Sequence, residues 1–202
     1  MQTEGGQKRE GALRRDAARY FALDSRNGKP SLFEKIRIFC DSPGFQTTVV
    51  YRFGAWANRI RFRPFRIPFK VLHYILQKLC IIFWGIYIDE GARIGPGLYI
   101  GHFGGVILGP IEMGRDCNVA HQVTIGRRVD GVPGVPVIGD RVWIGVGSVI
   151  FGNVRIGDGV TIGPYTVVSR SLPAKLMVIG SPMRVLRKDY DNTESIYGST
   201  RI

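Results

Sequence analysis

Acidic residues are scarce in this chain and missing from one long stretch of it. Its 202 residues carry 28 Lys and Arg against 16 Asp and Glu, a formal charge of +12. Between Ser42 and Ile88 there is no Asp or Glu, while Arg52, Arg59, Arg61, Arg63, Arg66, Lys70 and Lys78 all stand there. Such an excess suits anionic lipid, a phosphate-rich ligand or nucleic acid. No nucleic-acid reading motif accompanies it, so no nucleic-acid partner is expected. Cysteine is equally sparse: Cys40, Cys80 and Cys117, with no C-x-x-C spacing. That excludes a disulfide scaffold and a zinc ribbon, and no metal site is expected; a reducing compartment is the simpler setting. Any histidine chemistry must come from His73, His102 or His121. The opening MQTEGGQKREGALRRDAARY lacks the apolar core of a secretory signal, so a cytoplasmic protein is expected. The one membrane-like run, Ile67 to Ile88, is interrupted by Lys70, His73, Gln77 and Lys78, which argues against a free-standing span.

What is present is enough for a core, since 45% of residues are hydrophobic and 11% aromatic. Residues 1–30 read as a mobile basic N-terminal segment. Residues 31–85 read as an α-helical collar. Ser31 is placed to cap a helix, with Glu34 three residues on as in a capping box. Ser42-Pro43-Gly44 breaks the chain, and Val50, Phe53, Ala57 and Ile60 then recur at helical spacing. Pro68 suits the first position of a last helix running over 69–84. Two readings of that helix stay open: packing against the rest of the protein, or lying on lipid with its bases snorkelling.

After Gly85 the period changes to six. Aliphatic heads stand at Ile88, Ile94, Ile100 and Val106, then Met113, Val119 and Ile125, then Ile138, Ile144, Ile150, Ile156, Ile162 and Val168. Eight of these thirteen heads are followed by glycine, and the fifth place is small or apolar, as at Ala92, Cys117, Val142 and Ser148. Six is the period of a hexapeptide β-solenoid, in which each head points inward and stacks on the head one coil away. Three hexads make a triangular coil, and coils stack roughly 4.8 Å apart. The fold expected is mainly β, a parallel β-helix of about four coils over 86–173, with the helical region before it and a tail at 174–202.

Residues 85–187 resemble the hexapeptide-repeat acyltransferases, in their serine acetyltransferase-like branch. The segments that carry the likeness are Ala92-Arg93-Ile94-Gly95-Pro96-Gly97, Ile100-Gly101-His102, Val123-Thr124-Ile125-Gly126, Val137-Ile138-Gly139-Asp140, Ile150-Phe151-Gly152-Asn153 and the closing Ile179-Gly180-Ser181-Pro182-Met183-Arg184-Val185. The resemblance implies a left-handed β-helix, acetyl-CoA as acyl donor, and a homotrimer with active sites between subunits.

His102 and His121 are each the third residue of their hexads, nineteen residues apart, which is one coil plus one residue inserted between Val106 and Met113. Both imidazoles should therefore meet at one turn of successive coils, with Asp140 in the corresponding place one coil further on if the loop before it counts as a side. A polar ladder on the surface is the plain alternative. The resemblance makes His102, in His102-Phe103-Gly104-Gly105, the general base that takes a proton from an acceptor hydroxyl. His121 would bind acceptor or orient the base. The likeness also assigns CoA to coil turns at Gly126, Gly145, Val146, Gly163 and Pro164, with Arg184, Arg187 and Lys188 placed for its phosphates. Cys117 reads as corner packing.

Three departures from serine acetyltransferase stand out. Tyr87 holds the place of the Asp that pairs with the base. Gly101 replaces the acidic residue before it. Gly134 and Val135, in the loop Arg127 to Pro136, stand where that family has an Arg-His pair for the serine carboxylate. Asp89 or Asp140 is left as a substitute carboxylate. The acceptor expected is accordingly a sugar hydroxyl on a polysaccharide or its lipid-linked precursor, reached at the inner face of an anionic membrane. Serine O-acetylation and a non-catalytic β-helix binding module are the alternatives.

Overall fold

A computed structural model describes residues 11–24, 30–127 and 134–197. Four helices come first: α1 (Ala12–Asp24), α2 (Leu32–Asp41), α3 (Pro43–Ala57) and α4 (Arg63–Trp84). Short strands then wind into three parallel sheets, one per side of a solenoid. The first holds β1 (Ile86–Ile88), β4 (Val106–Leu108), β7 (Thr124–Gly126), β10 (Val149–Phe151) and β13 (Val167–Val168). The second holds β2 (Arg93–Ile94), β5 (Glu112–Met113), β8 (Val137–Ile138) and β11 (Arg155–Ile156). The third holds β3 (Tyr99–Ile100), β6 (Asn118–Val119), β9 (Trp143–Ile144), β12 (Thr161–Ile162) and β14 (Met177–Ile179), closed by the antiparallel β15 (Arg184–Arg187). A short α5 (Thr193–Tyr197) follows.

The heads stack as a period of six requires. On the second side Ile94, Met113, Ile138 and Ile156 are in register, and on the third Ile100, Val119, Ile144, Ile162 and Val178. All thirteen heads are buried. The solenoid continues past residue 173, because Leu172 bridges to Ile156 and β14 adds a further parallel rung, making about five turns.

The inserted residue lies elsewhere than expected. Ile88, Leu108, Ile125 and Ile150 are in register, so Leu108 is the stacked head, and Val106 pairs with Ile86. Two extra residues therefore sit in the turn between Ile100 and Leu108, and one is taken back before Met113. The enlarged turn is the one that carries His102. Val106 and Leu108 are both fully buried, which is why the aliphatic pattern alone misplaces the insertion.

The segment expected to be mobile contains α1. Its anchors are polar side chains taken inward, which a hydrophobic pattern does not reveal. Asp16 is fully buried; its Oδ1 accepts from the backbone N–H groups of Gly97 (2.6 Å) and Leu98 (2.9 Å), and its Oδ2 takes Arg52 Nε at 2.7 Å. Arg19 donates to the Gly97 carbonyl at 2.7 Å and to Asn118 Oδ1 at 2.6 Å. Burial depresses its pKa, against the pull of Asp116.

Ser31 caps α2 as expected, its Oγ accepting from Glu34 N at 3.3 Å. The expected start of α4 was wrong. Pro64 takes the first turn and Pro68 lies inside the helix, at the loss of one hydrogen bond. Gly85 ends it in the left-handed conformation (φ +62°).

α3 presents its small and polar side inward, through Gly44, Thr47, Thr48, Tyr51 and Gly54. Close approach decides this. A Cβ on Gly44 would lie 2.2 Å from the Ile100 carbonyl oxygen, and one on Gly54 2.3 Å from His73 Nε2. Tyr51 joins the solenoid core and donates from its hydroxyl to the Ala92 carbonyl at 2.8 Å, sealing the first coil. Gly44→Ala is expected to cost about 1–3 kcal/mol, because backbone must move to admit the methyl group. A thermal melt checks this: for a chain of this size the midpoint should fall by about 2–4 °C per kcal/mol.

Candidate active site

One corner of the solenoid carries a column of equivalent positions. His102, His121, Val146 and Pro164 are each the second residue after Ile100, Val119, Ile144 and Ile162, heads of successive rungs on the third side. Hydrogen bonds from Gly101 N to Val119 O, Ala120 N to Ile144 O and Gly145 N to Ile162 O keep the column in register. The two imidazoles meet as expected, ring centroids 5.7 Å apart and planes at 85°.

The turn at His102 differs from its neighbours. At the regular corners the left-handed residue is the third after the head, as at Asp116, Gln122, Arg141, Tyr165 and Lys175. At this enlarged turn it is the second, His102 itself, at φ +63°. Gly104 and Gly105 follow at φ +101° and +67°, and Gly104 is tied to Trp84 O and Gln122 N. What sets His102 apart is therefore its place in the turn, one residue earlier than at the regular corners, and its exposure. His121 is half-buried, and its Nδ1 has no hydrogen-bonding partner among the described residues.

His102 opens on a cleft of about 310 Å³ between the solenoid and the helices. Asp24 from the end of α1, Arg37 and Asp41 from α2, and Tyr99 from β3 share its lining. Asp24 accepts from the hydroxyls of Tyr99 (Oδ1, 3.0 Å) and Ser42 (Oδ2, 3.3 Å). Burial raises the Asp24 pKa, while those two bonds and the charge of His102 oppose the rise. The Tyr99 hydroxyl is pushed upward by burial and by Asp24.

The carboxylates picked from the sequence lie elsewhere. Asp140 follows Ile138, which stands on the second side, so it turns a different corner. It accepts from Arg115 N at 2.8 Å and Nε at 3.2 Å. Asp89 accepts from the Tyr87 hydroxyl at 2.8 Å and from Gly91 N at 2.7 Å. Asp24, the carboxylate that does share a cleft with His102, is 78 residues away in sequence, and no spacing rule links them.

Of the positions assigned to CoA, Gly145, Val146, Gly163 and Pro164 fall on or beside the histidine column, two and three rungs along. Their backbones lie close, since a Cβ on Gly145 would come within 2.8 Å of Gly163. Gly126 stands one side away, at the end of β7, with open space where a Cβ would point. Arg187 is exposed on β15, paired opposite Met177. Gly134 and Val135 are half-buried, and residues 128–133 of the same loop lie outside the described residues. Cys117 is fully buried at its corner, and burial pushes its thiol up to about 12, unsuited to a nucleophile.

The family described as bacterial transferase hexapeptide (six repeats) matches residues 136–170. A serine acetyltransferase of Helicobacter pylori is 32% identical over 163 residues, covering 79% of this chain and 91% of the relative. One from Synechococcus elongatus is 31% identical over 159 residues, covering 78% of this chain; the chain spans 62% of that relative's length. The crystal structure of Neisseria gonorrhoeae serine acetyltransferase in complex with serine is similar with a TM-score of 0.67 and 29% identity, over 86% of this chain and 67% of that one.

Proposed function

The chain belongs to the hexapeptide-repeat acyltransferases, in their serine acetyltransferase-like branch, and on that footing we propose that it transfers an acetyl group from acetyl-CoA to a hydroxyl, with His102 as general base. The observation that carries this is the placement of His102, strained and exposed, at the mouth of a charged cleft and beside His121. The imidazole takes the hydroxyl proton as the oxygen attacks the thioester carbonyl. Collapse of the tetrahedral adduct releases the CoA thiolate, which recovers a proton from the imidazolium. No acyl-enzyme is formed, so no nucleophilic Ser or Cys is needed. The cofactor lies along the column at Gly145, Val146, Gly163 and Pro164, reaching Gly126, with Arg187 toward its phosphates. A homotrimer would cover the exposed Phe103 and Tyr165 that flank the column and complete each site between two subunits.

L-serine is the acceptor we favour, which reverses the order expected from the sequence. The relatives carry that name, and the cleft is amphoteric. Arg37 suits a carboxylate, and Asp24 and Asp41 suit an ammonium group, with His102 left to meet the hydroxyl. A sugar hydroxyl is the second reading, and the departures at Tyr87, Gly134 and Val135 favour it.

Thiol release from acetyl-CoA, measured against L-serine and a panel of sugars and nucleotide sugars, separates the two. Serine should saturate, and Arg37→Gln should raise its KM by about 10–100-fold, the loss of one charge-assisted bond, with kcat little changed. Turnover confined to a sugar, indifferent to Arg37→Gln, would establish the second reading. No thiol release with any acceptor would leave a non-catalytic β-helix.

A further inference from the structure

α4 lies along the molecule with half its surface uncovered. At 100° per residue, Phe65, Ile67, Val71, Leu72, Tyr74, Ile75, Leu79, Ile82 and Phe83 fall within an arc of about 180°, and each is exposed by between 42% and 72%. Lys78 is the one charged residue inside that arc, between Ile67 and Val71, with its ammonium over the Tyr74 ring at 5.3 Å. The opposite face is held to the protein. His73 and Cys80 are buried, Gln77 Nε2 donates to the Ile88 carbonyl at 2.6 Å, and Lys70 pairs with Glu90. The helix has 22 residues and enough apolar length to cross a bilayer, but a face bonded to β1 and packed on α3 cannot be surrounded by lipid. Against a bilayer it can only lie in the plane of the surface.

We infer that the exposed face of α4 is an in-plane anchor for an anionic lipid bilayer. Charge identifies the occupant. Arg59, Arg61 and Arg63 are exposed where the chain enters α4, with Arg66 half-buried one turn on, and no acid occurs from Ser42 to Ile88. A second copy docked face to face would offer these bases no carboxylate, since the stretch that forms the face has none. A surface of acidic phospholipid neutralises them, at a gain set by the number of bases within a Debye length, while the apolar arc sinks to the depth of the acyl boundary. Beside the arc an open groove of about 440 Å³, with Ile67, Val71 and Tyr74 in its wall and Arg66 at its side, offers room for a headgroup and the start of a chain. Whichever acceptor is correct, the site is then held at a membrane surface.

Co-sedimentation with phosphatidylglycerol-containing vesicles, against pure phosphatidylcholine vesicles, tests this on the full chain. The wild type should pellet with the anionic vesicles at low salt and be released at ~1 M salt, where the screening length is about 3 Å. Arg59→Gln, Arg61→Gln and Arg63→Gln together should weaken partitioning on the order of a hundredfold. Ile82→Glu should weaken it at least about tenfold. Ile82 is 72% exposed, so the thermal midpoint should not move, and thiol release with a soluble acceptor should persist in both variants. Wild-type protein that stays in the supernatant at low salt overturns the inference, as does binding that neither variant weakens. An oligomer that Ile82→Glu dissociates, in protein that ignores vesicles, would make a second copy the occupant instead.

Discussion

His102→Ala should lower kcat by about 10²–10⁴-fold, the usual span for removing a positioned general base, and leave CoA affinity little changed. The column places the backbone around Gly145 and Gly163 two and three rungs from His102, so the imidazole is not among the groups proposed to hold the cofactor. His121→Ala should cost less in kcat, because its ring stands one rung further from the cleft. A second substitution separates chemistry from structure. His102 sits at φ +63°, where an L side chain is strained, so His102→Gly should hold or raise stability by up to about 1 kcal/mol while activity collapses with it. A histidine kept for packing would behave in the opposite way, losing stability and sparing turnover. Steady-state thiol release and a thermal melt on the two variants decide the matter. More than a tenth of wild-type turnover in either would remove His102 from the role.

The largest stability loss is expected at Asp16. Its carboxylate is fully buried and meets Arg52 through both oxygens, at 2.7 and 3.2 Å, together with two backbone N–H groups at the Gly97 turn. Asp16→Ala leaves Arg52 charged and mostly buried, still bonded to the Ile94 and Gly95 carbonyls, and strips two backbone donors of their acceptor. Breaking one partner of such a pair costs about 3–5 kcal/mol, most of it the desolvated remainder rather than the lost bond. Denaturant unfolding measures it. The loss should also reach catalysis, since α1 carries Asp24 into the cleft eight residues later. A cost below about 1 kcal/mol would place the pair with ordinary surface bridges and make α1 an accessory to the solenoid.

Much of this molecule was legible in one dimension, for a local reason. A hexad needs an aliphatic head, a small corner residue and a flexible turn within six positions, and each coil meets only its neighbours. The thirteen heads therefore mark the core without any long-range information, and the equal offsets of His102 and His121 from their heads place both imidazoles on one corner. The same economy misplaced the insertion. Val106 and Leu108 are equally buried, and only strand register tells which one stacks on Ile125.

The helical part was legible in kind but not in detail, because its decisive contacts are polar or are made by glycine. Nothing in the periodicity of 12–24 announces Asp16, Arg19 and Tyr20 as interior residues. Their burial depends on carbonyl and N–H groups that the solenoid exposes at the Gly97 turn and at Ile100. Ser42-Pro43-Gly44 reads as a break, yet Gly44 lies in the first turn of α3, pressed on the Ile100 carbonyl as Gly54 is on the His73 ring.

The sequence by itself determined the solenoid, all but one of its stacking heads, the histidine pair and the acid-free stretch before it, since each follows from spacing or composition that neighbouring residues set locally. Tertiary structure alone decided what surrounds His102. Asp24, Arg37 and Asp41 share a cleft with His102 because α1 packs on β3, and α2 on α1 and α3. Asp140, which the hexad count put in line with the histidines, turns another corner because Ile138 follows Ile125 as the next rung of the second side, not of the third. A column of side chains obeys the repeat that generates it, while a cleft between two elements obeys only the contacts that bring them together.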